Sequence, residues 1–258
     1  VNTGNNLEIW QNTPQQNLPL PDVQVWGRHG QAEHQVLLAR ADKLEPGDPE
    51  LAEIERLMAE TPDKDWNLTP RGMAEVACGG LWKAKHLLTP GPYGLIVPGG
   101  IFDGGYTSAA KRAQQSAAIE LLAAQSFLTR SAIKLDARGD PILPIDFRLR
   151  EINLGEQTSM TKQAYLEKHA DNIARRAVDP LFTAYRDGST LAEHMDISIR
   201  SMLGTLKRDT VTRGSKSAAL FTHGRTVRAA ALTLRRDTPE DFARIEAEEE
   251  IKNATMFI

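Results

Sequence analysis

Val23-Gln24-Val25-Trp26-Gly27-Arg28-His29-Gly30-Gln31-Ala32-Glu33 reads as a short buried strand that stops at a glycine and hands over to a helix. Strand-to-helix turns of this kind set side chains at the carboxyl edge of a sheet, where open α/β folds bind their ligands. The helix N-terminus beyond the turn offers N–H groups and the positive end of a dipole, both suited to an anion. Arg28 and His29 therefore stand where a phosphate would be held, a fixed cation beside an imidazole. Alone, the tripeptide decides nothing, because a lone histidine is more often packed or solvated than catalytic.

Further stretches supply partners for it. Tyr106-Thr107-Ser108-Ala109-Ala110-Lys111-Arg112-Ala113 brings a second arginine to a helix start, and Leu149-Arg150-Glu151-Ile152-Asn153-Leu154-Gly155-Glu156 brings a carboxylate. Leu220-Phe221-Thr222-His223-Gly224-Arg225 repeats the His-Gly pair at a second strand end, and Leu68-Thr69-Pro70-Arg71-Gly72 lies between the first two motifs. These five motifs, in this order, resemble the histidine phosphatase superfamily in its phosphoglycerate-mutase-like branch. The resemblance runs from about Val23 to the last residue.

Length and composition agree with an ordinary globule. A chain of 258 residues, 41% hydrophobic and 25% charged, can bury the core of one α/β domain, with or without an inserted cap. A net charge of −3 argues against a general nucleic-acid binder, although net charge says nothing about one cleft. Cys78 is the only cysteine, which excludes an intrachain disulfide and fits a reducing compartment. No membrane-length apolar run and no signal-peptide pattern occur, so a cytoplasmic location is expected. The sequons at Asn67 and Asn253 then read as coincidence.

Alternating strand and helix patterns predict an α/β fold, a three-layer α-β-α sandwich around a mostly parallel sheet. Residues 1–21, rich in Asn, Gln and Pro, read as an irregular lead-in. Helices are expected over 33–40, 49–60 and 70–88, with Thr69 as N-cap and Pro70 in the first helical position. Residues 89–105 read as a glycine-rich loop, 109–128 as helix and 142–149 as a strand delivering Glu151. A charged helical insertion spans 161–187, followed by a helix over 189–207, a strand over 217–222 and a helix over 226–234. Residues 246–250 read as a helix end, and 254–258 as a strand closing the sheet. The whole is expected to be one domain, residues 1–258.

The resemblance implies roles for particular residues. His29 would attack phosphorus and carry a phosphohistidine, Glu151 would protonate the leaving oxygen, and His223 would donate to phosphoryl oxygens. Arg28 and Arg112 would grip the phosphate with planar, permanently charged forks, and Gly224 would lie against it. Two arginines nearby favour a neutral His29. No cofactor is implied, and no metal: His34, His86, His169 and His194 show no ligand spacing and read as structural or solvated. The expected partner is a small phosphorylated substrate, with no nucleic acid and no membrane; a homodimer is compatible with the family. The insertion would pack over the site, although its charge equally suits a solvated face.

Three positions depart from the family pattern. Ala32 stands where Ser or Thr is usual, and Gln35 stands where an Asn often touches phosphate. Arg225 replaces the small residue after the second His-Gly and would favour substrates with another anionic group if it faces the site. Glu156 competes with Glu151 for the acid role. Hydrolysis of a phosphomonoester leads, because Gln157-Thr158-Ser159-Met160 does not resemble the mutases' continuation. A phosphoglycerate-mutase-like phosphotransferase and a catalytically weakened phosphate-binding domain are the alternatives.

Overall fold

The computed structural model describes residues 19–86, 102–125, 143–235, 238, 241 and 256–257. The expectations for residues 1–18, 89–101, 126–142 and 246–250 lie outside the described residues. The rest begins with strand β1 (Val23–Arg28), α1 (Glu33–Ala41), α2 (Pro49–Glu60) and α3 (Pro70–His86). Strand β2 (Gly104–Thr107), α4 (Lys111–Gln125) and α5 (Lys162–Val178) follow. Then α6 (Leu191–His194) continues through a π segment (Met195–Ile199) into α7 (Arg200–Arg213), and β3 (Ser217–Thr222), α8 (Gly224–Arg235) and β4 (Met256–Phe257) complete the order.

The sheet order is β2-β3-β1-β4. Both β1 and β2 run parallel to β3, and β4 joins β1 antiparallel, so the expected α/β class and mostly parallel sheet are present. Strand period explains the layers, since successive side chains leave a sheet on opposite faces. Trp26, Ala218 and Leu220 face one core with residues of α6, the π segment, α7 and α8, among them Met195, Ile199, Met202 and Val227. Val25, Ala219 and Phe221 face the other with Ala117, Leu121 and Ala124 of α4 and Ala84 of α3. Helices thus cover both faces, and central strands buried on both sides read as continuous apolar runs. A satellite cluster of Ala41, Ile54, Met58 and Trp66 ties α1 to α2.

Local chemistry sets most boundaries. Asp48 caps α2 by accepting the Glu50 N–H at 2.8 Å, ahead of Pro49. Thr69 caps α3 by accepting the Gly72 N–H at 3.0 Å, as the Thr-Pro pair predicts. Gly72 also permits a close approach: a Cβ there would lie 2.0 Å from the Gln31 carbonyl oxygen, and one on Gly30 would lie 2.3 Å from that of Gly72. Helix α3 therefore docks backbone-to-backbone on the turn after β1, and only glycines allow it.

Three expectations change in detail. In residues 143–149 the expected strand is an isolated bridge between Thr107 and Ile145, followed by a 3₁₀ turn over Phe147–Leu149. Pro144 has no N–H to extend a ladder, and Asp146 takes the Arg148 N–H at 2.9 Å, which opens the turn. Helix α5 stops at Val178, before Asp179-Pro180, because a residue preceding proline is disfavoured in helical conformation. The helix expected over 189–207 starts at Leu191 behind a Thr190/Glu193 capping box and, past the π segment, reaches Arg213, where Gly214 adopts φ +67°. Among the described residues no helix is long and apolar enough to cross a membrane.

Candidate active site

The three parallel strands end at one edge. Arg28 pairs with Thr222 and Thr107 with Phe221, so the residues that follow, His29, His223 and Ser108, emerge side by side. Backbone bonds continue the ladder past the strands: the His29 N–H donates to Thr222 and the Ser108 N–H to Phe221. Helices α4 and α8 start immediately behind Ser108-Ala109-Ala110 and His223, which brings two helix N-termini to the same edge.

His29 and His223 stand nearly perpendicular, with ring centroids 5.2 Å apart and an interplanar angle of 71°. Arg112, buried to 2% exposure, joins them. Its Nε donates to His29 Nε2 at 3.2 Å and its Nη2 to His223 Nδ1 at 3.3 Å. An arginine only donates, so both of those ring nitrogens carry lone pairs. The remaining nitrogen on each ring is then the N–H: His29 Nδ1 donates to the Gly30 carbonyl at 2.7 Å, and His223 Nε2 to Ser108 Oγ at 2.9 Å. Burial, and after it the Arg112 charge, lowers the pKa of both imidazoles well below the ordinary value. The outcome is a neutral His29 whose Nε2 lone pair faces a cation.

Glu151 reaches the site on a clamped backbone. Thr222 Oγ1 donates to the Leu149 carbonyl at 2.6 Å and Thr226 Oγ1 to the Arg150 carbonyl at 2.8 Å, fixing the two residues before it. Glu151 keeps part of its surface accessible, yet protein crowds it enough that burial raises its pKa, opposed by the charges of Arg225, Arg112 and Arg28. That is the direction required of a proton donor. Its competitor Glu156 is engaged elsewhere: it accepts from Lys168 Nζ at 2.5 Å and pairs with His169 Nε2 at 2.9 Å. Those two bonds hold its pKa down at about 2, so it stays ionised.

A match of residues 97–256 to the model of the histidine phosphatase superfamily (branch 1) spans β2, α4, Glu151 and His223. The chain belongs to that superfamily. The matched range starts after Arg28 and His29; the parallel pairing of β1 with β3 is what sets this first motif beside the others. No curated protein sequence matches the chain. Among solved structures, the mycobacterial glucosyl-3-phosphoglycerate phosphatase in complex with VO3 shares 16% identity at a TM-score of 0.56, covering 90% of both chains. A putative alpha-ribazole-5'-P phosphatase from Escherichia coli shares 15% at 0.55, over 86% of this chain and 83% of its own. Mycobacterial hydrolase 1 shares 15% at 0.56, over 90% of this chain and 86% of its own. At such identities the likeness is one of fold.

Within this histidine phosphatase frame, Arg28, His29, Arg112, Glu151 and His223 gather as the sequence suggests. Gly224 lies under Arg28, where a Cβ would meet the guanidinium side chain at 3.3–3.5 Å. Gln35 serves the N-terminus of α1: its Oε1 accepts the Ala32 N–H at 2.9 Å, the reciprocal half of a capping box whose other half Ala32, without a hydroxyl, cannot make. Arg225 turns toward the ring of Tyr185, 5.2 Å from its centroid.

Several residues escape a sequence reading. Asp63 accepts from Arg112 through its backbone carbonyl, and its carboxylate takes Nη2 at 2.9 and 3.1 Å; it sits in a Thr-Pro-Asp break that signals only a helix end. His34, expected to be structural or solvated, has its pKa lowered to about 4 by burial and by Arg112, with Asp63 opposing, so it belongs to the same electrostatic neighbourhood. Ser108 did leave a signal, since it follows a strand end just as His29 and His223 do. His194, also expected to be structural, donates through Nε2 to Thr226 Oγ1 at 3.1 Å and so supports the clamp on Arg150.

Proposed function

We propose that the chain is a phosphomonoester hydrolase working through a phosphohistidine on His29. The observation that carries this reading is the tautomer of His29: Nδ1–H is tied to Gly30, which leaves the Nε2 lone pair beside Arg112 and His223. In the first step Nε2 forms a bond to phosphorus as the ester oxygen leaves, taking a proton from Glu151. In the second, water attacks phosphorus, the N–P bond breaks, and the water proton returns to the Glu151 carboxylate, releasing inorganic phosphate. Arg28, Arg112 and the helix N-termini supply the positive charge that the transferring group needs, the part a metal plays in other phosphoryl-transfer enzymes. The phosphatases among the structural neighbours support hydrolysis over mutase chemistry.

A rapid quench after mixing with labelled substrate tests the reading. Acid-labile, base-stable phosphate on His29, absent in His29→Ala, is expected. Glu151→Gln should slow its formation from an alkyl phosphate by about 10²-fold or more and hardly affect nitrophenyl phosphate, whose leaving group needs no proton. Label on His223 would exchange the histidine roles, and turnover unchanged in His29→Ala would end the mechanism. Turnover should survive EDTA; loss restored by magnesium or zinc would show that the arginines do not suffice.

A further inference from the structure

The peptide unit between Gly30 and Gln31 makes a hydrogen bond on each side, and the two lead from His29 to a carboxylate. Its carbonyl oxygen accepts the His29 Nδ1–H at 2.7 Å, and its N–H donates to Glu75 Oε2 at 3.0 Å. Glu75 lies on α3 with its side chain 23% exposed, and its other oxygen takes Nε of the exposed Arg71 at 3.0 Å. Hydrogen bonds in series polarise one another, so a carboxylate drawing on the N–H makes the carbonyl oxygen a stronger acceptor. The imidazole of His29 is thus connected to a negative charge through one peptide, without direct contact.

This peptide is held on both flanks. The Gly30 N–H donates to the buried Ser116 Oγ at 3.2 Å, and the Ser116 hydroxyl donates in turn to the Arg112 carbonyl at 2.7 Å. On the other side the Gln31 carbonyl accepts the Thr69 N–H at 2.9 Å. The close approach of Gly72 to Gly30 and Gln31 seats α3 on the turn, and Glu75, three residues beyond Gly72, falls on the same face of that helix.

Burial and the Arg112 charge hold the His29 pKa down, whereas the bond to the Gly30 carbonyl raises it. Phosphoryl transfer makes use of that opposing influence. As Nε2 bonds to phosphorus, the ester P–O bond breaks and its electron pair leaves with the ester oxygen, which takes a proton from Glu151. His29 keeps its Nδ1 proton, so its ring passes from neutral to cationic. An anion at the far end of the relay stabilises the cationic ring more than the neutral one.

Building on the phosphohistidine reading, we infer that Glu75 is a positioning residue for the nucleophile, acting through the Gly30–Gln31 peptide to fix the His29 tautomer and to stabilise the phosphorylated imidazole. It touches neither substrate nor phosphorus. Removing its charge makes the ring a poorer nucleophile and a better leaving group, so phosphorylation slows and breakdown of the phosphoenzyme does not.

The test uses nitrophenyl phosphate, whose departure needs no proton from Glu151. It compares Glu75→Gln, which keeps an acceptor oxygen without the charge, with Glu75→Leu, which keeps neither. Single-turnover phosphorylation of His29 should slow several-fold in Glu75→Gln and about tenfold or more in Glu75→Leu, the size of loss found when a carboxylate acting through an imidazole is removed. Inhibition by inorganic phosphate should stay within about threefold, and phosphoenzyme breakdown should be unchanged or faster. In the unreacted protein the NMR signal of the His29 Nδ1 proton should move upfield in both variants, while that of the His223 Nε2 proton stays. A merely structural role predicts weaker phosphate binding and slowing of both steps alike. That result, unchanged phosphorylation, or an unmoved His29 proton overturns the relay. Glu75→Gln, nearly isosteric, decides it by the same criteria should Glu75→Leu not fold. If the unmodified protein neither releases nitrophenol nor carries phosphate on His29, the phosphatase reading fails instead, and the proton shift alone decides the relay.

Discussion

Asp63 binds Arg112 through both terminal nitrogens of the guanidinium, the backbone carbonyl taking Nη1 and the carboxylate taking Nη2. With Nε on His29 and Nη2 shared with His223, every N–H-bearing nitrogen of Arg112 has a protein partner before any substrate arrives. An incoming phosphate must therefore share Nη2 with a carboxylate of its own sign.

This arrangement predicts the effect of Asp63→Asn. The amide keeps an oxygen for Nη2 and removes the negative charge, so inorganic phosphate should inhibit several-fold more tightly. A gain of about 1 kcal/mol is reasonable for a pair that is 38% exposed on the aspartate side. Competitive inhibition constants measure it. Weaker inhibition by tenfold would show that the carboxylate charge is needed to orient the guanidinium.

Ser108→Ala should act through His223. Removing the hydroxyl strands a buried Nε2–H, at a cost of about 1–3 kcal/mol, and loosens the tautomer that leaves Nδ1 to Arg112. Chemical denaturation should register the lost stability, and kcat should fall while binding of inorganic phosphate stays within a few-fold. A variant with unchanged stability and kcat would mean that the Ser108 bond is incidental.

The buried imidazoles set the acid limb of stability. His34 and His194 have folded pKa values of about 4, and His29 and His223 are also lowered, against about 6.5 in the unfolded chain. A lowered folded pKa means that the unfolded state takes up protons first. Stability is thus intact above about pH 6.5 and declines as pH falls toward 4, by up to about 1.4 kcal/mol per pH unit for each such group. Glu151 runs the other way: its raised pKa adds stability at low pH that is lost as pH rises from its unfolded value, about 4.5, through its folded one. One carboxyl against four histidines leaves a net decline on acidification. Unfolding free energies between neutral pH and pH 4.5 should show it, and His194→Asn should flatten it; a flat profile in the unmodified protein would refute the buried neutral histidines.

The strands that deliver the two histidines were legible because each apolar run stops at a His-Gly pair. Val23–Arg28 and Ser217–Thr222 are apolar runs ending in His-Gly, and both are the central strands. What was not legible came from contacts between distant segments. Nothing in Thr61-Pro62-Asp63 marks an arginine partner 49 positions away. That Gln35 Oε1 accepts the Ala32 N–H was not legible either, because the sequence marks Gln35 only by its place in the family pattern. The 142–149 strand failed on a backbone detail: Pro144 carries no N–H. The clustering of Arg176 and Arg225 on Tyr185 required the fold itself, because a charged helix reads equally well as a solvated face.

The strand order has a consequence for how the protein comes into being. Strand β1, which delivers His29, pairs with β3, which is translated long after it, and the site's bonds bridge long stretches of chain: 83 positions for Arg112–His29 and 115 for Ser108–His223. Non-local closures of this kind are slow and are made late in folding. A chain emerging from the ribosome would already carry Arg28, His29 and Arg112, yet β1 would have no neighbour to pair with until β3 followed. Activity should therefore switch on abruptly once β3 has been made, and chains released before that point would leave the cell no partly working enzyme to restrain.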